Sequence, residues 1–316
     1  MKLQTIIPLK KQTNNLINYQ SKILLLGSCF SDNIGNKLSY FKFQSNQNPF
    51  GILFQPKAIE KLIIKAINQE SYTNKDLTFN NERWHCFDAH SNLSSNNKNE
   101  LLDSLNTALD QTKRHLEKAT HIIITLGTSW VYRFIETDAI VANCHKIPQK
   151  KFLKELLTVD EVSETLDVIS TLIKSVNKDI SILFTVSPVR HIKDGFVENT
   201  RSKSHLIAGI HNIVNPKKNT YYFPSYEILM DELRDYRFYN EDMIHPNKTA
   251  INYIWNKFIS TWFSEESKVT MQEIETIQKG LTHRPFNENS EQHQKFLRKL
   301  TLKKEELLVK HPFISF

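Results

Sequence analysis

The sequence predicts an α/β fold built on a mainly parallel sheet, and three observations predict it. Short, nearly continuous apolar runs recur along the chain, as expected of strands buried on both faces. Amphipathic helical stretches lie between them, so strand and helix alternate. Two of the apolar runs end directly in a glycine, Gly27 and Gly127, in a chain that has only 7 glycines.

The first strand is expected at 22–26, ahead of Gly27, and the second at 41–44. The run at 121–126 is the clearest and meets Gly127; 180–186 runs into Ser187-Pro188, and 220–223 into Pro224. Helices are expected at 32–40, with Ser31 as N-cap, and at 57–68, where Ile59, Leu62, Ile63 and Ile67 share a face. Four more are expected at 99–119, 158–177, 200–214 and 249–263. In open parallel sheets ligands collect at the carboxyl ends of the strands. Three of those ends carry unusual sequence: Gly27-Ser28-Cys29-Phe30-Ser31, Gly127-Thr128-Ser129-Trp130 and Ser187-Pro188-Val189-Arg190-His191.

Residues 1–264 are expected to form the α/β domain. Within it, 71–98 is polar and rich in Asn and Ser, the composition of an insertion, with an aromatic knot at Trp84-His85-Cys86-Phe87. Residues 265–316 turn charged and helical, with apolar Phe296, Leu297, Leu300, Leu302 and Leu307, and read as a C-terminal helical extension. No internal repeat is visible.

Composition excludes several classes. With 40% hydrophobic and 24% charged residues the chain can bury a full core and is not a disordered one. The net charge is +7, but the lysines are scattered and densest in the last fifth. Diffuse charge predicts a solvated basic surface, and no nucleic-acid partner is expected. A salt-dependent nucleic-acid contact through the basic C-terminus is the alternative. The cysteines, Cys29, Cys86 and Cys144, form no Cys-x-x-Cys unit, and their odd number argues against a disulfide framework. The N-terminus lacks a signal-peptide pattern, and no apolar run reaches about 18 residues. A cytoplasmic location without a membrane span is therefore expected. Cys86, His90, Cys144 and His145 match no common zinc spacing, so neither metal nor cofactor is expected.

Two segments can carry chemistry. A nucleophile in the turn after Gly27 would sit over the sheet, beside the free N–H groups of a helix start that favour negative charge. A cysteine there would have its thiol pKa lowered. Alternatively the segment is a plain strand-to-helix turn with a small buried cysteine. In Asp242-Met243-Ile244-His245-Pro246, the carboxylate and imidazole are spaced to pair, fixing the tautomer and leaving the other ring nitrogen for a nucleophile. Pro246 can open the helix that follows. The plain alternative is a capping Asp and a surface His. Arg190, past the fourth strand, could hold an anionic substrate group, or serve as a salt-bridge partner.

Together, these segments on an α/β background resemble the SGNH/GDSL hydrolase superfamily. The closer resemblance is to the GSCFA family within it, whose name-giving motif here reads Gly27-Ser28-Cys29-Phe30-Ser31. Asn48-Pro49-Phe50-Gly51, Gly127-Thr128-Ser129-Trp130, Asn143-Cys144-His145-Lys146 and Ser187-Pro188-Val189-Arg190-His191 are similar to that family too. The likeness spans about residues 1–260. It implies a flavodoxin-like three-layer αβα sandwich and an esterase or acyl hydrolase acting on a small-molecule or carbohydrate ester.

Carried over, the superfamily's nucleophile position, two residues after the strand-ending glycine, is Cys29. Ser28 stands where the superfamily has Asp, and a shifted turn would make Ser28 the nucleophile instead. His245 is implied as general base and Asp242 as its orienter. Gly51 is implied as a backbone oxyanion donor. The Asn that usually completes the oxyanion site is absent from Gly127-Thr128-Ser129, which leaves Ser129, Thr128 or the Asn48 amide to substitute. An acyltransferase would use the same covalent intermediate. A non-catalytic binding protein on this scaffold is the third possibility, motivated by the missing Asn and the displaced serine.

Overall fold

The computed structural model describes residues 4–316. In chain order it begins with β1 (Lys22–Gly27), α1 (Cys29–Tyr40), β2 (Gln44–Gln47), α2 (Pro56–Ile67), β3 (Leu77–Asn80), β4 (Arg83–Cys86) and α3 (Lys98–Lys118). There follow β5 (His121–Leu126), β6 (Trp130–Phe134), β7 (Ala139–Val141), β8 (Phe152–Leu156), α4 (Val159–Val176), β9 (Ser181–Val186) and α5 (Phe196–Ile213). The chain closes with β10 (Thr220–Tyr222), a helical stub α6 (Ser225–Glu227), α7 (Lys248–Trp262), α8 (Glu265–Thr282) and α9 (Glu291–Lys310).

Five strands form the central sheet in the order β10-β9-β5-β1-β2, all parallel. Strand periodicity assigns the side chains to two faces. Leu24, Leu26, Ile122, Ile124, Ile182, Phe184 and Val186 join one core with the buried stripes of α2, α3, α4 and α5. Ile23, Leu25, Ile123 and Leu183 join the other, with α1, α7, α8 and α9. The result is three layers, α/β/α, as the resemblance implies. The alternation explains why the strands read as continuous apolar runs: each face has its own helical layer to bury against, at roughly 1.5–3 kcal/mol per large side chain.

Strand order locates the ligand crevice. From β1 the chain steps outward to β2, then crosses back to β5 on the other side of β1. The order therefore reverses between β1 and β5, and in open parallel sheets that reversal opens a crevice at the carboxyl ends. Gly27 pairs with Thr125 there, next to Leu126 and Gly127. Gly27 has φ +131°, and a Cβ on it would lie 2.1 Å from Thr125 O, so a side chain is excluded on both counts.

Several local expectations are corrected. The second strand begins at Gln44, not at 41, because Phe41 N–H closes α1 on Lys37 O and Lys42 turns through φ +60°. Phe41 and Phe43 are apolar because they pack on the α7 side of the core. The N-cap of α1 is Ser28, not Ser31: Ser28 is extended and its hydroxyl accepts from Phe30 N, whereas Ser31 Oγ donates to Leu26 O. Helix α7 is capped by Asn247, whose Oδ1 accepts from Thr249 N and Ala250 N, with Pro246 ahead of the cap. The polar segment 71–98 contains the hairpin β3–β4, pinned to the main core through Tyr72, Leu77 and Cys86. A second antiparallel sheet, β7-β6-β8, follows Gly127. In the C-terminal segment α8 and α9 bury Met271, Ile274, Ile277, Leu300 and Leu307 in the same core as α1 and α7.

Candidate active site

The turn after β1 separates its two candidate side chains. Ser28 is 0% exposed, and its hydroxyl is engaged as the cap of α1. Cys29, the first residue of the helix, is only partly buried. Its sulfur faces the backbone N–H groups of Cys29 and Phe30, the second of which also donates to the Ser28 cap. Burial raises the thiol pKa and the Asp32 carboxylate, one turn along α1, raises it further; the charge of Lys203 and the two N–H groups draw it down.

Asp242 and His245 meet at the other candidate segment. Asp242 Oδ2 lies 2.6 Å from His245 Nδ1, and Asp242 Oδ1 accepts from the N–H groups of Ile244 and His245, at 2.9 Å each. Those two backbone bonds, with the imidazole, hold the Asp242 carboxyl down at about 2. Both side chains are close to half exposed, 45% for Asp242 and 47% for His245. The loop is tied at its base by Asn240 N–H to His245 O, 2.8 Å. Among the described residues neither Ser28 nor Cys29 is hydrogen-bonded to His245; the imidazole's field reaches His191 instead.

A cleft of about 400 Å³ is lined by Phe54, Thr128, Trp130, Cys144 and His191. Phe54 is held there because Leu53 N–H donates to Gly27 O and Phe54 O accepts from Gly127 and Thr128.

The model of the GSCFA family matches residues 22–258, and that of the C-terminal domain of GSCFA proteins matches residues 274–316. This chain belongs to the GSCFA family. No curated protein matches it. Among solved structures it is similar to an acetyl esterase mutant with acetate ion, at 9% identity and a TM-score of 0.34, over 81% of this chain and 99% of that one. It is also similar to a carbohydrate esterase family 3 protein from Talaromyces cellulolyticus, at 8% identity and a TM-score of 0.32, with the same coverage of 81% and 99%.

Beyond the GSCFA turn, the remaining residues singled out by sequence make contacts within the protein. Asn48 accepts from Gly27 N with Oδ1 and donates to Asp32 Oδ1 with Nδ2, bracing the turn. Gly51 N–H is spent on Asn48 O at 2.7 Å. Ser129 is fully buried and donates to Ser202 O, while Thr128 lines the cleft and shares a hydrogen bond with Ser202 Oγ. Arg190 has no carboxylate within ion-pair distance among the described residues; its guanidinium rests on Met230 Sδ. His145 uses both ring nitrogens internally, on Cys86 O and Ser91 Oγ, and stacks on His85.

Three groups at this edge escaped sequence reasoning. Asp32 lies between Asn48 and the field of His90, and burial raises its carboxyl pKa. His191 sits over Gly127, where a Cβ would come within 2.9 Å of its Nε2; burial, then Lys203, push it down to about 4. Lys203 is 1% exposed on the inner face of α5. The signal for Lys203 was present: it falls on the stripe 199, 202/203, 206, 209/210 that the apolar Leu206 and Ile210 mark as buried.

Proposed function

We propose that this protein hydrolyses a carboxylic ester through a thioester on Cys29, with His245 as general base and Asp242 as its orienter. The observation that carries the proposal is the division of labour in the turn. Ser28 is buried as a helix cap, which leaves the partly exposed Cys29 sulfur over the helix N-terminus at the crevice of the sheet. Because burial and Asp32 raise its thiol, Cys29 needs a base to ionise it. His245 suits that role: Nδ1 is held by Asp242, so Nε2 is the nitrogen to take a proton.

The reaction proceeds in two halves. Cys29 Sγ attacks the acyl carbon while its proton passes to His245 Nε2, and the alcohol leaves with that proton. Water, deprotonated by the same nitrogen, then attacks the thioester and frees the acid and the thiol. The Cys29 N–H at the start of α1 is a backbone donor for the oxyanion, and Thr128 Oγ1, at the cleft wall, would add to it by giving up its bond to Ser202 Oγ. The exposed Asp242–His245 loop must close by bringing Nε2 to about 3 Å from the sulfur, a tightening common when substrate binds. The 400 Å³ cleft beside Thr128 and Trp130 is the proposed seat of the substrate, large enough for a sugar-sized ester.

Steady-state hydrolysis of p-nitrophenyl acetate tests the assignment. Cys29→Ala and His245→Ala should abolish turnover. Ser28→Ala should keep it, at a stability cost of about 1 kcal/mol for the lost cap. Turnover that survives Cys29→Ala and dies with Ser28→Ala in a folded protein would reverse the assignment.

A further inference from the structure

We propose that His145 is the positioning residue of the cleft wall: its buried imidazole fastens the segment 141–147 to the hairpin β3–β4, keeps the cleft apart from the cavity behind it, and so sets the length of ester the cleft accepts. The consequence for esters rests on the proposed function; the fastening does not.

Residues 141–147 all line the 400 Å³ cleft. Val141 and Ile147 also line a second cavity, of about 490 Å³, to which the hairpin contributes Phe79 and Cys86. The segment is therefore a partition between two hollows. Its backbone is held in an unfavourable shape: His145 and Lys146, successive non-glycine residues, lie at φ +48° and +58°. Such a conformation persists only where its surroundings over-determine it. His145 supplies the fastenings. It is 3% exposed; Nε2 donates to Cys86 O at 2.7 Å, and Nδ1 accepts from Ser91 Oγ at 3.2 Å. Its carbonyl accepts from Asn80 Nδ2 at 2.9 Å, and its N–H donates to Asn143 Oδ1 at 2.9 Å. The ring stacks on His85, with 4.6 Å between centroids. Ala142 N–H donates to Phe87 O at 2.8 Å, which ties the start of the segment to the residue after β4.

A carbonyl only accepts, so the proton sits on Nε2 and Nδ1 is left as the acceptor of a neutral ring. A second proton would put a charge in the interior with nothing to pair it. His85 of β4 and His90, beyond that strand, act on His145 as like charges. Arg83 of β4 is bonded to the Ser94 carbonyl, and Lys146 and Lys193 add further positive charge, the latter beside Cys144. Burial raises the Cys86 and Cys144 thiols to about 12 and about 11, so they stay neutral. The acids of the adjoining segments, Asp88 and Asp194, are paired with Lys61 and Lys154. Among the described residues His245 is the only histidine paired with a carboxylate. Burial pushes His145 down to about 4, the Cys86 carbonyl opposing and His85 and His90 adding. Freed into solvent, the ring returns to its ordinary value near 6.5. The partition is therefore secure above that pH, and its opening grows more favourable as pH falls from there toward about 4, by up to about tenfold per unit.

Hydrogen exchange followed by NMR tests the fastening. Corrected for the intrinsic rate, protection of the Ala142 and Ile147 amides should fall by up to about tenfold per unit as pH drops from about 6.5 to about 4, with the Ile123 amide in β5 as the reference for global unfolding. His145→Gln keeps a donor for Cys86 O but takes up no proton, and should show no such slope. His145→Ala should be weakly protected at every pH. A parent slope that is absent, or that persists in His145→Gln, would overturn the fastening. The ester consequence is read from the ratio of kcat/KM for p-nitrophenyl octanoate to that for p-nitrophenyl acetate. It should rise several-fold in His145→Ala and return toward the parent in His145→Gln. An unchanged ratio in a His145→Ala protein that has lost protection would overturn the control of ester length and leave the fastening standing. The exchange readout needs no turnover. If the parent hydrolyses neither ester, the proposed function fails, and exchange alone still decides the role of His145.

Discussion

At the scale of single residues, the site is defined by which polar atoms are spent and which are free. Ser28, Asn48, Gly51 and Ser129 were all legible as candidates, yet each is satisfied inside the protein by a cap or brace. Buried polar groups find partners, and a sequence does not announce whether the partner is a substrate or a neighbouring backbone atom. The Asp242–His245 pair was legible because its spacing is local: three residues bring carboxylate to imidazole without help from the rest of the fold. Lys203 was not, because its place depends on the packing of α5 on strands distant in sequence. Asp242→Asn should keep the loop but donate where the carboxylate accepts, and should lower kcat/KM for p-nitrophenyl acetate by about a hundred- to ten-thousand-fold. The carboxyl is depressed to about 2, so the bonds it accepts persist from neutrality through its ordinary range near 4 and are lost only as pH falls through about 2. The amide proton shifts of Ile244 and His245, followed by NMR, should titrate with that low midpoint.

At the scale of elements, strands β1, β5 and β9 were legible because six-residue apolar runs buried on both faces leave little else to be. The second strand was misplaced because Gln44-Ser45-Asn46-Gln47 carries no apolar signal; it lies at the sheet edge and is held by backbone pairing to β1. The hairpin β3–β4 hid in polar sequence for the same reason: two short strands with one solvated face have too few apolar positions to show a period. The β1–α1 turn is the element on which the site depends, and Gly27 is its weak point. Gly27→Ala would put a methyl group 2.1 Å from Thr125 O in a backbone conformation that L-residues avoid, so the strands must part. Urea unfolding should show a loss of about 3 kcal/mol.

At the scale of the molecule, two helical layers clamp one sheet, and the reversal of strand order between β1 and β5 sets the crevice. The C-terminal segment takes part in this clamp. Its helices bury Ile274, Ile277 and Leu307 beside Tyr19, Phe43 and Trp255, and Gln278 donates to Tyr40 O at the end of α1. We expect α8 and α9 to unfold with the rest in one transition. Ile274→Ala, a cut into a fully buried side chain remote from Cys29, should cost about 2–5 kcal/mol in global stability. Unfolding curves read by near-UV circular dichroism and by a probe on α9 should shift together; a separate early transition of α9 would show that the segment folds on its own account.

The claim that a thioester forms on Cys29 is tested most directly by trapping it. The protein is mixed with p-nitrophenyl acetate, quenched in acid within the first turnovers, and the peptide spanning the β1–α1 turn is sequenced by mass spectrometry. An acetyl group is expected on Cys29 and none on Ser28, with loss of the adduct in Cys29→Ala. An acetyl group on Ser28, or turnover at the parent rate with no adduct on this peptide, would contradict it.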